Sequence, residues 1–183
     1  MHAGHIFARR DRPRRSSGLM QRDPLTLVVV LDQALARDGG GDAAGALYLD
    51  DGATHAFRAG ACVRRALRFD AAAGVLRSRE AEPEPGGCVP GDATPAYRDS
   101  LSDVRVHEVL LVGVPRAWEG RTRARVVLER VAGGEAAAAA DDDADAPREV
   151  QLTVVPERDG AARWAVVRLL PGVGVARDWR IEF

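Results

Sequence analysis

The residues able to do chemistry are few and scattered. His2, His5, His55 and His107 share no metal-ligand spacing with one another or with Cys62 and Cys88. A structural zinc site draws its ligands from short, paired spacings, so these read as surface or strand histidines and no bound metal is expected. Gly39-Gly40-Gly41 has the glycine of a phosphate-cradling loop. It lacks the lysine and the following helix, and reads as a flexible turn. Ser16-Ser17 lies in an arginine-rich connector and not in a nucleophile elbow. No motif calls for a cofactor.

The carboxylates are the stronger candidates. Asp50 and Asp51 have the chemistry of a general acid and base. Adjacent residues at a strand end point to opposite faces, however, so the pair does not flank one substrate atom. With Gly52 they form a turn signal. Asp141–Asp143 with Asp145 offers oxygen ligands for calcium, yet no glycine-bearing loop spacing supports coordination, and a solvated acidic loop is the expectation. Arg9–Arg15 (RRDRPRR) is interrupted by Asp11 and has no interleaved aromatics, which argues against a nucleic-acid patch. Trp118, Trp164 and Trp179 are the side chains that could stack on sugar rings. Trp164 sits inside an apolar strand and reads as core. Trp118 follows Pro115 in a loop and stays open as a sugar platform. No catalytic, cofactor-binding or metal-binding residue is therefore assigned.

The elements that must position these residues are strands. Short apolar runs recur between Gly, Pro and Asp: Leu25–Leu31, Ala46–Leu49, Cys62–Phe69, Val75–Arg79, Val104–Val114, Arg125–Arg130, Val150–Val155, Trp164–Leu170 and Trp179–Phe183. Thr54–Arg58 is expected to return from Asp50-Asp51-Gly52 as a hairpin partner. The spacing predicts an all-β fold, an antiparallel sandwich of about nine or ten strands. Glu80–Ser100 reads as a long loop. The Ala/Asp-rich segment 132–147 reads as a disordered hairpin insertion. Residues 1–23 are taken as a connector and 24–183 as the domain.

Composition narrows the partners. The 26 basic side chains are all arginine and are balanced by 27 acidic ones, a net charge of -1. That leaves no long-range field to attract nucleic acid or anionic lipid. No apolar run approaches the ~20 residues of a membrane span. The basic N-terminus lacks the apolar stretch of a secretory signal. Cys62 and Cys88 either pair or stay as small buried hydrophobes, and the sequence leaves both open.

Arg14–Leu31 (RRSSGLMQRDPLTLVVVL), Gly45–Thr54 (GALYLDDGAT), Val104–Gly113 (VRVHEVLLVG) and Leu169–Phe183 (LLPGVGVARDWRIEF) occur in a telling order and spacing. Together they resemble the C-terminal region of the α-glucosidases of glycoside hydrolase family 31. The resemblance covers nearly the whole chain. It implies a distal C-terminal β-sandwich beside a (β/α)8 barrel, with Gly4–Arg10 as the last part of a proximal sandwich. Met1-His2-Ala3 and Ala8 depart from the family's lead-in, which suggests a start inside a longer gene. The family's nucleophile and acid are barrel aspartates, so neither maps onto this chain. The resemblance further implies a parent enzyme that removes α-linked glucose from N-glycans in the endoplasmic-reticulum lumen. The barrel would be this domain's partner, and a regulatory β-subunit would be reached through the parent. The rival expectation is a stand-alone carbohydrate-binding module, which needs solvent-facing aromatics.

Overall fold

The computed structural model describes residues 3–32, 41–82, 88–115, 118, 121–129, 147–156 and 164–183. The strands are β1 (His5–Arg9), β2 (Leu25–Val30), β3 (Ala43–Leu49), β4 (Val63–Asp70), β5 (Val75–Glu80), β6 (Arg105–Pro115), β7 (Arg123–Leu128), β8 (Arg148–Pro156), β9 (Trp164–Leu169), β10 (Val173–Gly174) and β11 (Trp179–Glu182). One α-helix, α1 (Thr94–Ser100), precedes β6. In β4 the period of two is plain. Val63, Arg65, Leu67 and Phe69 are buried, while Arg64, Ala66, Arg68 and Asp70 face outward. The apolar run of β2 is buried along five of its six residues, as befits a strand covered on both faces.

All eleven strands join one sheet in the order β10-β6-β2-β1-β3-β4-β5-β11-β7-β8-β9, and a further pairing of β6 with β9 closes it. Ten strands thus form a barrel-like ring, with β10 pairing further along β6. The main core fills it, with Leu27, Phe69, Leu111, Val167, Trp179 and Ile181 at most 1% exposed. A smaller cluster of Leu25, Leu49, Val63, Leu101, Val104 and Val175 packs beneath α1.

The nearly all-β content matches the sequence, whereas the topology departs from an antiparallel sandwich. β1 pairs parallel with β3, and β2 pairs parallel with β6. β2 lies antiparallel to β1 and offers its other edge to a strand that arrives only after β3, β4 and β5 have been laid down. Ring closure then leaves few unpaired backbone groups for intermolecular pairing. At the β1–β3 contact the backbones approach so closely that a Cβ on Gly45 would stand 2.0 Å from the Ile6 carbonyl oxygen. Only glycine fits there.

Three local expectations change. His5–Arg9, inside the stretch read as connector, forms β1 and buries Ile6 in the main core. Thr54–Arg58 is not a hairpin partner: Ala56–Ala59 forms a 3-10 turn, and β3 pairs with β4. The Asp51 carboxylate takes the Ala53 and Thr54 amides that a strand ladder would need. The loop expected over Glu80–Ser100 contains α1, opened by a proline in its first turn. The Ala/Asp-rich insertion, but for Pro147, lies outside the described residues.

Candidate functional site

The Tyr48-to-Thr54 corner is the place where the sequence concentrates carboxylates. β3 carries Tyr48 outward and Leu49 inward, and the chain then turns through Gly52 at φ 60°. Asp50 accepts hydrogen bonds from the Tyr48 hydroxyl at 3.0 Å and from the Gly52 amide at 2.8 Å. Asp51 accepts from the amides of Ala53 at 3.1 Å and Thr54 at 2.9 Å, and from the Thr54 hydroxyl. These bonds hold the Asp51 carboxyl below its ordinary range, the Thr54 side chain contributing most. A carboxyl so held donates no proton near neutrality. The aspartates build the corner and are consumed by it.

The surroundings reinforce that reading. Gln21 donates from its side chain to the Asp51 carbonyl. Arg10 donates to the Gln21 carbonyl at 3.0 Å, and Arg14 grips Asp23 through two bonds of 2.9 and 2.7 Å. Arg9 pairs with Asp11 at 2.8 Å. The basic run Arg9–Arg15 thus spends part of its charge inside the chain. A cavity of about 220 Å³ lies between Arg10, Gln21, Leu49, Asp50, Asp51 and Tyr97. The two tyrosines beside the corner, Tyr48 and Tyr97, are each pushed up to about 12, chiefly by burial of the phenol. For Tyr48 the bond to Asp50 adds to this.

The other candidates separate. Trp118 is buried, its ring 5.7 Å from that of Phe183 and 6.4 Å from that of Phe69, with the Arg121 guanidinium 4.3 Å from its centroid. It is a core aromatic, so the sugar platform left open at this residue is withdrawn. Trp179 is fully buried. Trp164 lies in β9, where the strand alone is described. His55 packs edge-on to Phe57, while His5 and His107 stand on strands. No group of three or more potential metal ligands occurs among the described residues. Ser16 and Ser17 open a 3-10 turn. His2, Gly39, Gly40, Asp141–Asp143 and Asp145 lie outside the described residues.

Two features emerge that sequence reading left unassigned. Cys62 and Cys88 form a disulfide, Cα to Cα 6.3 Å, tying the start of β4 to the segment before α1. Arg65, its side chain 2% exposed, reaches the Asp178 carboxylate, the Arg177 carbonyl at 2.8 Å and the Ser78 hydroxyl at 3.2 Å. Asp178 also accepts from the Glu80 amide at 3.2 Å. Burial lowers the Arg65 pKa, and the bond to Asp178 opposes that shift. This clamp locks β4, β5 and the approach to β11. The signal for it was the alternation of β4, which puts an arginine on the apolar register.

No protein-family model matches the chain. It is 44% identical over 81 residues to a probable glucan 1,3-alpha-glucosidase of Arabidopsis thaliana, covering 44% of this chain and 8% of that protein. It is 27% identical over 180 residues to the corresponding protein of Oryza sativa subsp. japonica, 98% of this chain and 16% of that one. The chain is thus a domain-sized relative of the α-glucosidases of glycoside hydrolase family 31. Within that class, crystal structures of the glucosidase II alpha subunit with alpha3-Glc2, and of the ER glucosidase II complex of catalytic subunit and regulatory-subunit binding domain, align over all of this chain. Both give a TM-score of 0.73 at 32% identity and are covered over 17% of their own length. The chain spans about a sixth of the length of the relatives it matches along its whole course.

Proposed function

We propose that this chain is the non-catalytic, distal C-terminal β-domain of a family 31 α-glucosidase of the glucosidase II type. The observation that carries the reading is the alignment along the entire chain with a glucosidase II alpha subunit, in a fold whose Asp50, Asp51 and Asp178 carboxylates are bonded within the chain. Its role is to support the (β/α)8 barrel, and β1, within residues 1–23, belongs to this domain's own ring. The parent would hydrolyse α-linked glucose of N-glycans by a retaining mechanism that uses two barrel aspartates. A regulatory subunit would bind through the parent, as in the solved complex. The Cys62–Cys88 disulfide fits an oxidising compartment such as the endoplasmic-reticulum lumen.

An antibody raised against the domain tests this on cells of the source organism. The expected catch is a polypeptide several times longer than 183 residues that releases glucose from an α-1,3-linked glucose disaccharide. Capture of a product of this chain's own length, without glucosidase activity, overturns the reading.

A further inference from the structure

Where the ends of α1, β7 and β8 meet the β10 turn lies a cavity of about 490 Å³. Four arginines line it, Arg98, Arg105, Arg148 and Arg177, against one carboxylate among the described residues, Asp99. The chain as a whole balances 26 basic against 27 acidic side chains, so this excess comes from placement and not from composition. The β10 turn gathers the charge. Arg105 donates to the Gly172 carbonyl at 3.2 Å, and Arg148 donates to the carbonyl of the preceding residue, Pro171. A Cβ added at Gly172 would stand 3.7 Å from the Arg148 guanidinium. Arg177 lays its stem along Gly174, 3.8 Å from a Cβ placed there, and Gly174 is directly opposite Arg105. Successive carbonyls thus hold two guanidiniums side by side, and a third arginine lies alongside them.

A carbonyl carries no net charge, so both guanidiniums keep theirs. Neither Arg105 nor Arg148 forms an ion pair among the described residues. Each spends one N–H on its carbonyl and has others of its five to offer. Arg98 pairs with Glu80, yet its buried Nε meets no acceptor among the described residues. A buried donor left so calls for a water or an ion. Ser102 brings a hydroxyl to the same lining. With Glu80 counted beside Asp99, arginines still outnumber acids by four to two. Asp141–Asp143 and Asp145, between β7 and β8 in sequence, lie outside the described residues. We infer that this cavity is a binding site for a phosphate-type oxyanion, free or as a monoester. Guanidinium forks match its oxygens, and its near-double charge answers the adjacent pair of cations.

The test titrates the full chain with inorganic phosphate, the ionic strength being held with sodium chloride. Binding is followed by calorimetry and by the rise in melting temperature that it confers. Saturable binding is expected, weakened at least ~10-fold by Arg105→Gln/Arg148→Gln through loss of two charge-assisted contacts. Arg148→Gln alone is expected to weaken it by a smaller factor, and serves if the double variant does not fold. Arg68→Gln is the control: it removes an exposed guanidinium that lines a different cavity, and is expected to bind as the parent does. Glucose 6-phosphate separates the two sources of the anion. Tighter binding than inorganic phosphate assigns the site to a monoester, and weaker binding assigns it to the free anion. A triglutamate peptide is expected to bind more weakly than phosphate, because its single charges are spread along a flexible chain. Unchanged affinity in both Arg148 variants, an equal loss in Arg68→Gln, no saturable binding by the parent chain, or tighter binding of the peptide would each overturn the assignment. None of these outcomes bears on which enzyme the domain comes from.

Discussion

Asp178→Ala is the perturbation that most directly tests the account of the fold. It removes the carboxylate that neutralises Arg65 and leaves a guanidinium whose side chain is 2% exposed. Two of its partners remain, the Arg177 carbonyl and the Ser78 hydroxyl, but neither carries charge. Deleting one partner of a buried ion pair costs about 3–5 kcal/mol. Asp178 is itself 18% exposed, so water reaches the vacated space and the lower end applies, about 3 kcal/mol. For a domain of this size that is a fall in Tm of about 6–12 °C, read by circular dichroism or calorimetry. Arg65→Met is expected to cost less than about 2 kcal/mol, since a hydrophobe fills the site and Asp178 keeps its contact with water and the Glu80 amide. The double variant should then fall well short of the sum of the two single losses. A Tm for Asp178→Ala within about 2 °C of the parent would refute the claim that this pair is a buried clamp.

Three more outcomes follow from the same geometry. Removing the Cys62–Cys88 bond, which spans 26 residues, by reduction or by paired alanines should cost about 3 kcal/mol of loop entropy, visible as a denaturation midpoint lower than that of the oxidised chain. Tyr48 and Tyr97 are the only tyrosines, both pushed up to about 12, so phenolate absorbance should stay flat through the usual range near pH 10. Because the folded state holds these protons more tightly, stability should fall as pH rises from about 10 to about 12, with phenolate appearing as the chain unfolds. Gly45→Ala puts a methyl against the Ile6 carbonyl and should lower stability by about 2–3 kcal/mol, with amide exchange accelerating first in β1.

Much of the architecture was legible because it is local. The runs that became β2, β4, β6 and β11 carry their own period or apolar continuity, and Asp50-Asp51-Gly52 carries the side-chain chemistry of a turn. What stayed hidden depends on distant partners. Arg65 sits on the buried register of β4, yet the acid that makes its burial tolerable is 113 residues away. Trp118 looks like a loop aromatic until Phe69 and Phe183 close over it. The parallel pairings and the β6–β9 closure leave no mark in any one window, because register between remote strands is set by the assembled core. The short helix α1, seven residues opened by a proline, is too brief for periodicity to announce it.

β11 pairs with β5 on one side and β7 on the other, so a strand made late is threaded between two made much earlier. A growing chain must therefore keep β5 and β7 as open, adhesive edges until residues 179–182 have cleared the ribosome. Closure of the ring therefore waits for the last of its described strands.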